Sequence, residues 1–359
     1  MYSLTPGYRV PALQRGLSPV ETLLTKATAG AGCAVLMSAL VAPPPMWSFG
    51  AVGAAAALLN VAPGPRSLGR WAAVGYRRFR ERTAPASMTE RPGATATWAL
   101  YLDHGTMQDP QRRASFHAGF SRAMTFAGGQ ARSAGIQVHV THHATLDDCT
   151  THTQTVSVHI PNGLTGQPDR ILGTLEGEFA SLGTLTRITP EPLPAVTGRG
   201  PGWTALDDGR HASTARIVGW PDETDGDLMP KLLLGQDQDG DRSMAILYRP
   251  LPAAQSHRSA KWQQAAGEAF TTDKVKRDAH EIASGTTHGA LVQGDTLVDV
   301  DAYLTVWGDT PAAVTDARWR ASLMADRHRI RLDWLQGQQH RAHVMTTPHG
   351  VSTRKGAIL

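Results

Sequence analysis

The sequence predicts an α+β protein: an N-terminal two-helix transmembrane hairpin followed by two split βαβ-type modules with antiparallel sheets. Three observations predict it. Two uncharged apolar runs, 27–42 and 46–62, flank the triplet Pro43-Pro44-Pro45. Two later stretches alternate strand-like and helix-like patterns. Linkers rich in Pro and Gly, 83–93 and 190–209, set those stretches apart.

A chain of 359 residues has room for about two globular domains. It is 41% hydrophobic and 18% charged with no long polar tract, which excludes wholesale disorder. Its two cysteines, Cys33 and Cys149, exclude a disulfide framework and an all-cysteine zinc site. The net charge of +4 is unevenly spread. Residues 1–92 carry Arg9, Arg15, Lys26, Arg66, Arg70, Arg77, Arg78, Arg80, Arg82 and Arg91 against only Glu21, Glu81 and Glu90, so they stand at +7 and the remainder at −3. Basicity confined to one end argues against a nucleic-acid-binding body, and no direct nucleic-acid contact is expected.

Within the N-terminal region, residues 1–26 read as a cytoplasmic segment and 27–65 as the hairpin. Each apolar run is slightly shorter than the roughly 20 residues that span a bilayer, and Lys26 is expected to snorkel at the interface. Both runs are rich in Gly and Ala, which permits close helix–helix contact. Arginines and Lys26 flank the hairpin on one side only, which places both termini in the cytoplasm and the protein in the cell inner membrane. A cleaved signal peptide fits poorly, because the start is 26 residues long and a cut after Ala42 would fall beside Pro43. A pair of buried Ala-rich helices is the other reading. The uncharged runs and one-sided flanks favour the membrane.

Residues 66–82 then read as an amphipathic juxtamembrane helix. Leu68, Trp71, Ala72, Gly75 and Phe79 share one face, and Arg70, Arg77, Arg78, Arg80 and Arg82 crowd the rest. The expectation is a membrane-interface helix with Trp71 and Phe79 at headgroup level.

The first cytoplasmic module, 97–189, is expected to contain strand 97–103, a helix from Asp109-Pro110 to about 133, strands 136–141 and 153–160, helix 169–182 and strand 185–189. The second, 210–345, follows with strand 212–220, short helix 226–234, strand 243–249, long helix 252–284, strand 296–306, helix 311–328 and strand 330–335.

Catalytic motifs are scarce. The chain has no G-x-x-x-x-G-K-[ST] phosphate loop and no G-x-S-x-G nucleophile elbow. His280-Glu281 begins a zincin pattern that Ser284 ends. Asp237, Asp239, Gly240 and Asp241 imitate a calcium loop, with the glycine misplaced and Tyr248 where a bidentate Glu belongs. The best metal candidates are His139, His142, His143, Cys149, His152 and His159, with Cys149-x-x-His152 at usable spacing for zinc. No motif sets an acidic general base beside them. The expectation is therefore no catalytic residue, no metal and no cofactor. A zinc-dependent hydrolase using His142, Cys149 and His152, and a standalone membrane-attached binding module, are the alternatives.

The second module carries the most specific resemblance. STARIVGWPDETDGDLMPKLLLG, MAILYRPLPAAQSHRSAKWQQAAGEAF and the stretch from VDAYLTVWGDTP onward resemble the N-terminal, non-catalytic domain of the VirB-type conjugative transfer ATPases. The shared marks are Trp220-Pro221, Tyr248-Arg249-Pro250 and Tyr303. FHAGFSRAMTFAGGQARSAGIQVHVTHHATLDD in the first module is similar to the core of actinobacterial EccE-like secretion components, in which a PrgI-like membrane hairpin precedes such a domain. The resemblance implies a non-enzymatic structural subunit of a type VII or type IV-like secretion or conjugation apparatus. Its implied partners are the lipid bilayer, a secretion or conjugation ATPase and other membrane subunits, within an oligomeric complex.

Overall fold

The computed structural model describes residues 2–3, 19–38, 45–60, 67–81, 93–130, 135–146, 150–221, 223–224, 228–234, 240–260, 285, 287–289, 291–292 and 294–349. The chain divides into two compact units, one formed by Met1–Pro6 with Met88–Ile358 and the other by Gly7–Ser87.

The smaller unit holds three helices: α1 (Pro19–Ser38), α2 (Met46–Asn60) and α3 (Leu68–Glu81). They overturn the transmembrane hairpin. Among the described residues no helix is long and apolar enough to cross a membrane. The reason lies in length and composition. Helix α2 has 15 residues and rises about 22 Å, well short of a hydrocarbon core of about 30 Å. Helix α1 reaches 20 residues only by starting at Pro19, which brings Glu21 and Lys26 into it, and its remainder is mostly Gly, Ala and Thr. The inner-membrane location and the topology with both termini cytoplasmic fall with the hairpin. The two helices pack on each other, closely enough that a Cβ added at Gly32 would touch Val52. Helix α3 starts where the Ser67 hydroxyl accepts the backbone N–H of Arg70 at 3.2 Å, capping the first turn.

The larger unit replaces the two expected sheets with one. Its strands are β2 (Gly93–Tyr101), β3 (Gln137–Leu146), β4 (Thr150–Pro161), β5 (Thr184–Ile188), β6 (Val196–Arg199), β7 (Thr204–Leu206), β8 (His211–Gly219), β10 (Arg242–Pro250), β11 (Val298–Gly308) and β12 (Arg331–Trp334). A separate two-residue bridge joins β1 (Tyr2–Ser3) to β9 (Glu223–Thr224). The ten strands form a sheet in the order β5-β2-β4-β3-β10-β11-β8-β7-β6, with β12 also on β8, and every pairing is antiparallel. The join between the expected modules is β3 against β10, from Val138 opposite Tyr248 to Ala144 opposite Arg242. The fold is thus a continuous antiparallel sheet with helices, not a membrane hairpin followed by two separate sheets.

Strand alternation gives that sheet an apolar and a polar face. On the apolar face lie α4 (Pro110–Gln130), α5 (Pro168–Ala180), α6 (Leu228–Leu234) and α7 (Pro311–Arg327). Trp98, Val138, Val158 and Ile160 meet Ala123, Leu175 and Phe179 in one core. Met244, Leu304 and Val306 meet Leu232, Val314 and Ala321 in a second. Helix α7 is opened by Thr310, whose hydroxyl accepts the Ala313 N–H, followed by Pro311 at its first position.

The polar face is covered by the segment after β12, which holds α8 (Gln339–Ala342) and a 3₁₀ turn (His343–Thr346). Leu335, Ala342 and Met345 close over Leu247 and Tyr303. Gln339 imitates a strand partner: its Oε1 accepts the Thr214 N–H at 2.7 Å, and its Nε2 donates to the Thr214 carbonyl at 3.0 Å. Gln339→Ala leaves both buried backbone groups without that partner. It is expected to lower unfolding stability by about 2–3 kcal/mol, measured as a shift in the urea midpoint.

Candidate interaction surface

The β3–β4 hairpin distributes the histidines that the sequence offers as metal ligands over both faces of the sheet. On the polar face, His139 is buried and its Nε2 meets the Met345 carbonyl at 2.6 Å, so that nitrogen donates. Burial pushes the His139 imidazole down to about 4 despite that bond, with the Arg249 and His349 charges acting in the same direction as burial. His143 Nδ1 meets Ser243 Oγ at 2.7 Å, and Ser243 Oγ accepts the Trp307 indole N–H at 2.8 Å. His159 Nδ1 meets Thr95 Oγ1 at 2.7 Å. These three are built into side-chain and backbone contacts of the polar face.

On the apolar side, His152 stands opposite Ala144, which places it beside His142. His142 Nδ1 and His152 Nε2 are 3.2 Å apart, with ring planes within 9° and centroids at 5.4 Å. Near-coplanar rings with their nitrogens aimed at each other make an N–H···N hydrogen bond between neutral imidazoles. Metal chelation would need the two lone pairs to converge on a third point. Burial lowers both rings, His142 to about 4, with the His152 charge adding to the effect. Cys149, the third ligand of the expected zinc hydrolase, lies outside the described residues. So do His280, Glu281, Asp237 and Asp239. Among the described residues no group of three or more His, Cys, Asp or Glu side chains could hold a metal ion.

Charge is concentrated where β8, β10 and β11 run side by side. Asp301 is buried between Arg216 and Arg249, with Arg249 Nη1 at 2.5 Å from its Oδ2 and Arg216 Nη2 on its Oδ1. Asp299 stands 3.9 Å from the same Arg249 nitrogen. Burial alone would raise the Asp301 carboxyl, but the two guanidinium groups hold it below the usual carboxylate range. One carboxylate bridges both guanidinium groups, with Asp299 beside Arg249 and Asp333 acting on Arg216, which gives the cluster the chemistry of a structural clamp joining three strands.

Of the expected membrane-interface residues, Arg70 and Trp71 are half-buried on α3, and Arg77, Arg78, Phe79 and Arg80 belong to its last turns. Arg82 lies outside the described residues. The inward side of the helix carries Ser67, Trp71 and Val74, while Ala72, Gly75 and Tyr76 are exposed. Periodicity alone grouped Trp71 with the wrong column, because small residues fit either side of a short helix.

Among the described residues the two most exposed large apolar side chains open α2. Met46 is 86% and Trp47 73% exposed, and Phe49 and Leu58 further along α2 and Met37 on α1 are exposed too. Helix α2 contains no charged residue. An uncharged helix showing this much large apolar surface marks a contact site. The signal was present in the sequence as the uncharged run itself.

No protein-family model matches the chain, and no curated protein matches it.

Proposed function

We propose that this chain is a non-enzymatic assembly subunit of a bacterial secretion- or conjugation-type apparatus, contacting a partner ATPase. The observation that carries the reading is the exposed apolar surface of α1 and α2, centred on Met46, Trp47 and Phe49. Aromatic anchors of this kind supply most of the binding energy when a partner removes them from water. The resemblance of the second module to the non-catalytic domain of conjugative ATPases supports the choice of partner. The hydrogen bonds that His139, His143 and His159 make on the polar face and the Arg–Asp–Arg cluster support an architectural role for the sheet. The test is co-purification from the native host with the full-length chain as bait and mass spectrometry of what is retained. The expected result is a secretion or conjugation ATPase retained by the wild type and lost from the Trp47→Lys/Phe49→Lys variant at unchanged helix content. Retention of that ATPase by the variant, or its absence from the wild-type sample, rejects the proposal.

A further inference from the structure

The segment 335–349 is fastened to the sheet differently from the helices on the opposite face. Those helices rest on apolar cores that contain no histidine. The segment has one apolar cluster, Leu335, Ala342 and Met345 over Leu247 and Tyr303, and a row of polar fastenings. The Leu335 N–H donates to the Thr214 carbonyl at 3.0 Å, and the Thr346 hydroxyl to Thr305 Oγ1 at 2.7 Å. The Pro348 carbonyl accepts Ser157 Oγ at 2.7 Å and Thr97 Oγ1 at 3.1 Å. His139 fastens Met345 from below, and His349 Nε2 donates to the Glu191 carbonyl at 2.6 Å.

Two imidazoles in this contact have no place for a second proton. His139 already donates from Nε2, so protonation must occur at Nδ1, which is buried and meets no acceptor. His343 Nδ1 faces the Gln339 carbonyl at 3.4 Å, which leaves its buried Nε2 equally bare. The surrounding charges do not make room. Arg249 and His349 oppose a charge on His139, and Arg199 and Arg341 oppose one on His340. The carboxylates are engaged elsewhere: both oxygens of Asp208 accept from Arg210, Asp301 and Asp299 face Arg249, and Asp333 acts on Arg216. On β4, His159 is bonded to Thr95. From the two bare, buried ring nitrogens, one beneath the segment and one within it, we infer that residues 335–349 form an acid-released strap, which lifts reversibly off the sheet while the helix-backed face stays folded. Release uncovers Leu247, Tyr303 and the backbone pair of Thr214 that Gln339 holds. The strap is a switch in the sheet-containing unit and stands apart from the proposed ATPase contact, which uses residues of the other unit.

Hydrogen exchange of the full-length chain, read by mass spectrometry and corrected for the intrinsic effect of pH, tests it. Burial holds His139 and His340 at about 4 in the closed state, and release returns each to its ordinary value of 6.5. At pH 5.5 each therefore favours the open state by about tenfold relative to pH 7.5. Peptides from 335–349 are expected to lose protection by about a hundredfold between pH 7.5 and 5.5, to regain it on return to pH 7.5, and to do so while α4 and α7 keep theirs. In His139→Gln/His340→Gln the same peptides are expected to change by less than about tenfold. Unchanged thermal unfolding at pH 7.5 checks that this variant folds, and the wild-type series decides by itself if it does not. Strap protection that is unmoved at pH 5.5, a loss shared equally by α4 and α7, a loss that neutralisation does not reverse, or an undiminished response in the folded variant would each overturn the inference.

Discussion

Replacing Asp301 with Ala is expected to lower unfolding stability by about 3–5 kcal/mol, the usual result of removing one partner from a buried ionic cluster. Arg216 and Arg249 would then be two cations near the middle of the sheet without the carboxylate that bridges them. Asp299 stands 3.9 Å from Arg249, and Asp333 acts on Arg216 from the paired strand, but neither bridges both guanidinium groups. Denaturation in urea gives the measurement. Removing all three charges together, as Arg216→Met/Arg249→Met/Asp301→Leu, is expected to destabilise less than Asp301→Ala alone, because no guanidinium is left to lose its bridging carboxylate. A midpoint for Asp301→Ala within about 0.5 kcal/mol of wild type would mean that the triad is solvated and does not clamp the strands.

Acidification is expected to unfold the sheet-containing unit well before the bulk of its carboxylates titrate. His139 is held neutral at about 4 by burial, His142 likewise, and His340 by burial and by the charges of Arg199, Arg341 and His343. His343 is lowered in the same way, although the Gln339 carbonyl and Asp208 oppose the shift. In the unfolded chain each returns to its ordinary value of 6.5. Between 6.5 and 4 the unfolded state therefore binds protons that the folded state refuses. Stability is complete above 6.5 and falls as pH drops through that window. For His139 alone the loss reaches about 3 kcal/mol by pH 4. Three of these rings, His139, His340 and His343, belong to or touch the segment that covers the polar face. Its amides should lose hydrogen-exchange protection first. His139→Gln keeps a donor toward the Met345 carbonyl without a titrating ring, and is expected to flatten the dependence of the urea midpoint on pH. A midpoint that does not move between pH 7.5 and 5 would contradict the assignment of neutral buried histidines.

Local structure was largely legible in the sequence, because it rests on local signals. The Asp109-Pro110 and Thr310-Pro311 pairs mark helix starts that the structure places at Pro110 and Pro311. Alternation in IQVHVT and TQTVSVHI marks strands that extend a few residues further, to Leu146 and from Thr150. The expected linker 190–209 concealed β6 and β7, since four prolines and several glycines within it outweighed the short runs Val196–Arg199 and Thr204–Leu206. The pairing of β3 with β10 was invisible. Nothing in Val138 to Ala144 names a partner a hundred residues away, and a strand buried on both sides carries only its own alternation. Absence of charge in the two runs does not reveal where the helices begin and end: α2 stops after 15 residues, and α1 starts at Pro19 and takes in Glu21 and Lys26. The histidines were visible as a cluster in sequence. Their division between two faces follows only from the period-2 geometry of the hairpin once its register is known.

The seam between β3 and β10 makes the sheet-containing unit one mechanical plate rather than two hinged halves. A protease that nicked the proline-rich stretch before β6 would release nothing, since the severed pieces stay zipped along the centre. Neither half can be expressed alone without baring a long interior strand as a sticky edge, so truncations at that stretch are expected to aggregate rather than yield two usable domains.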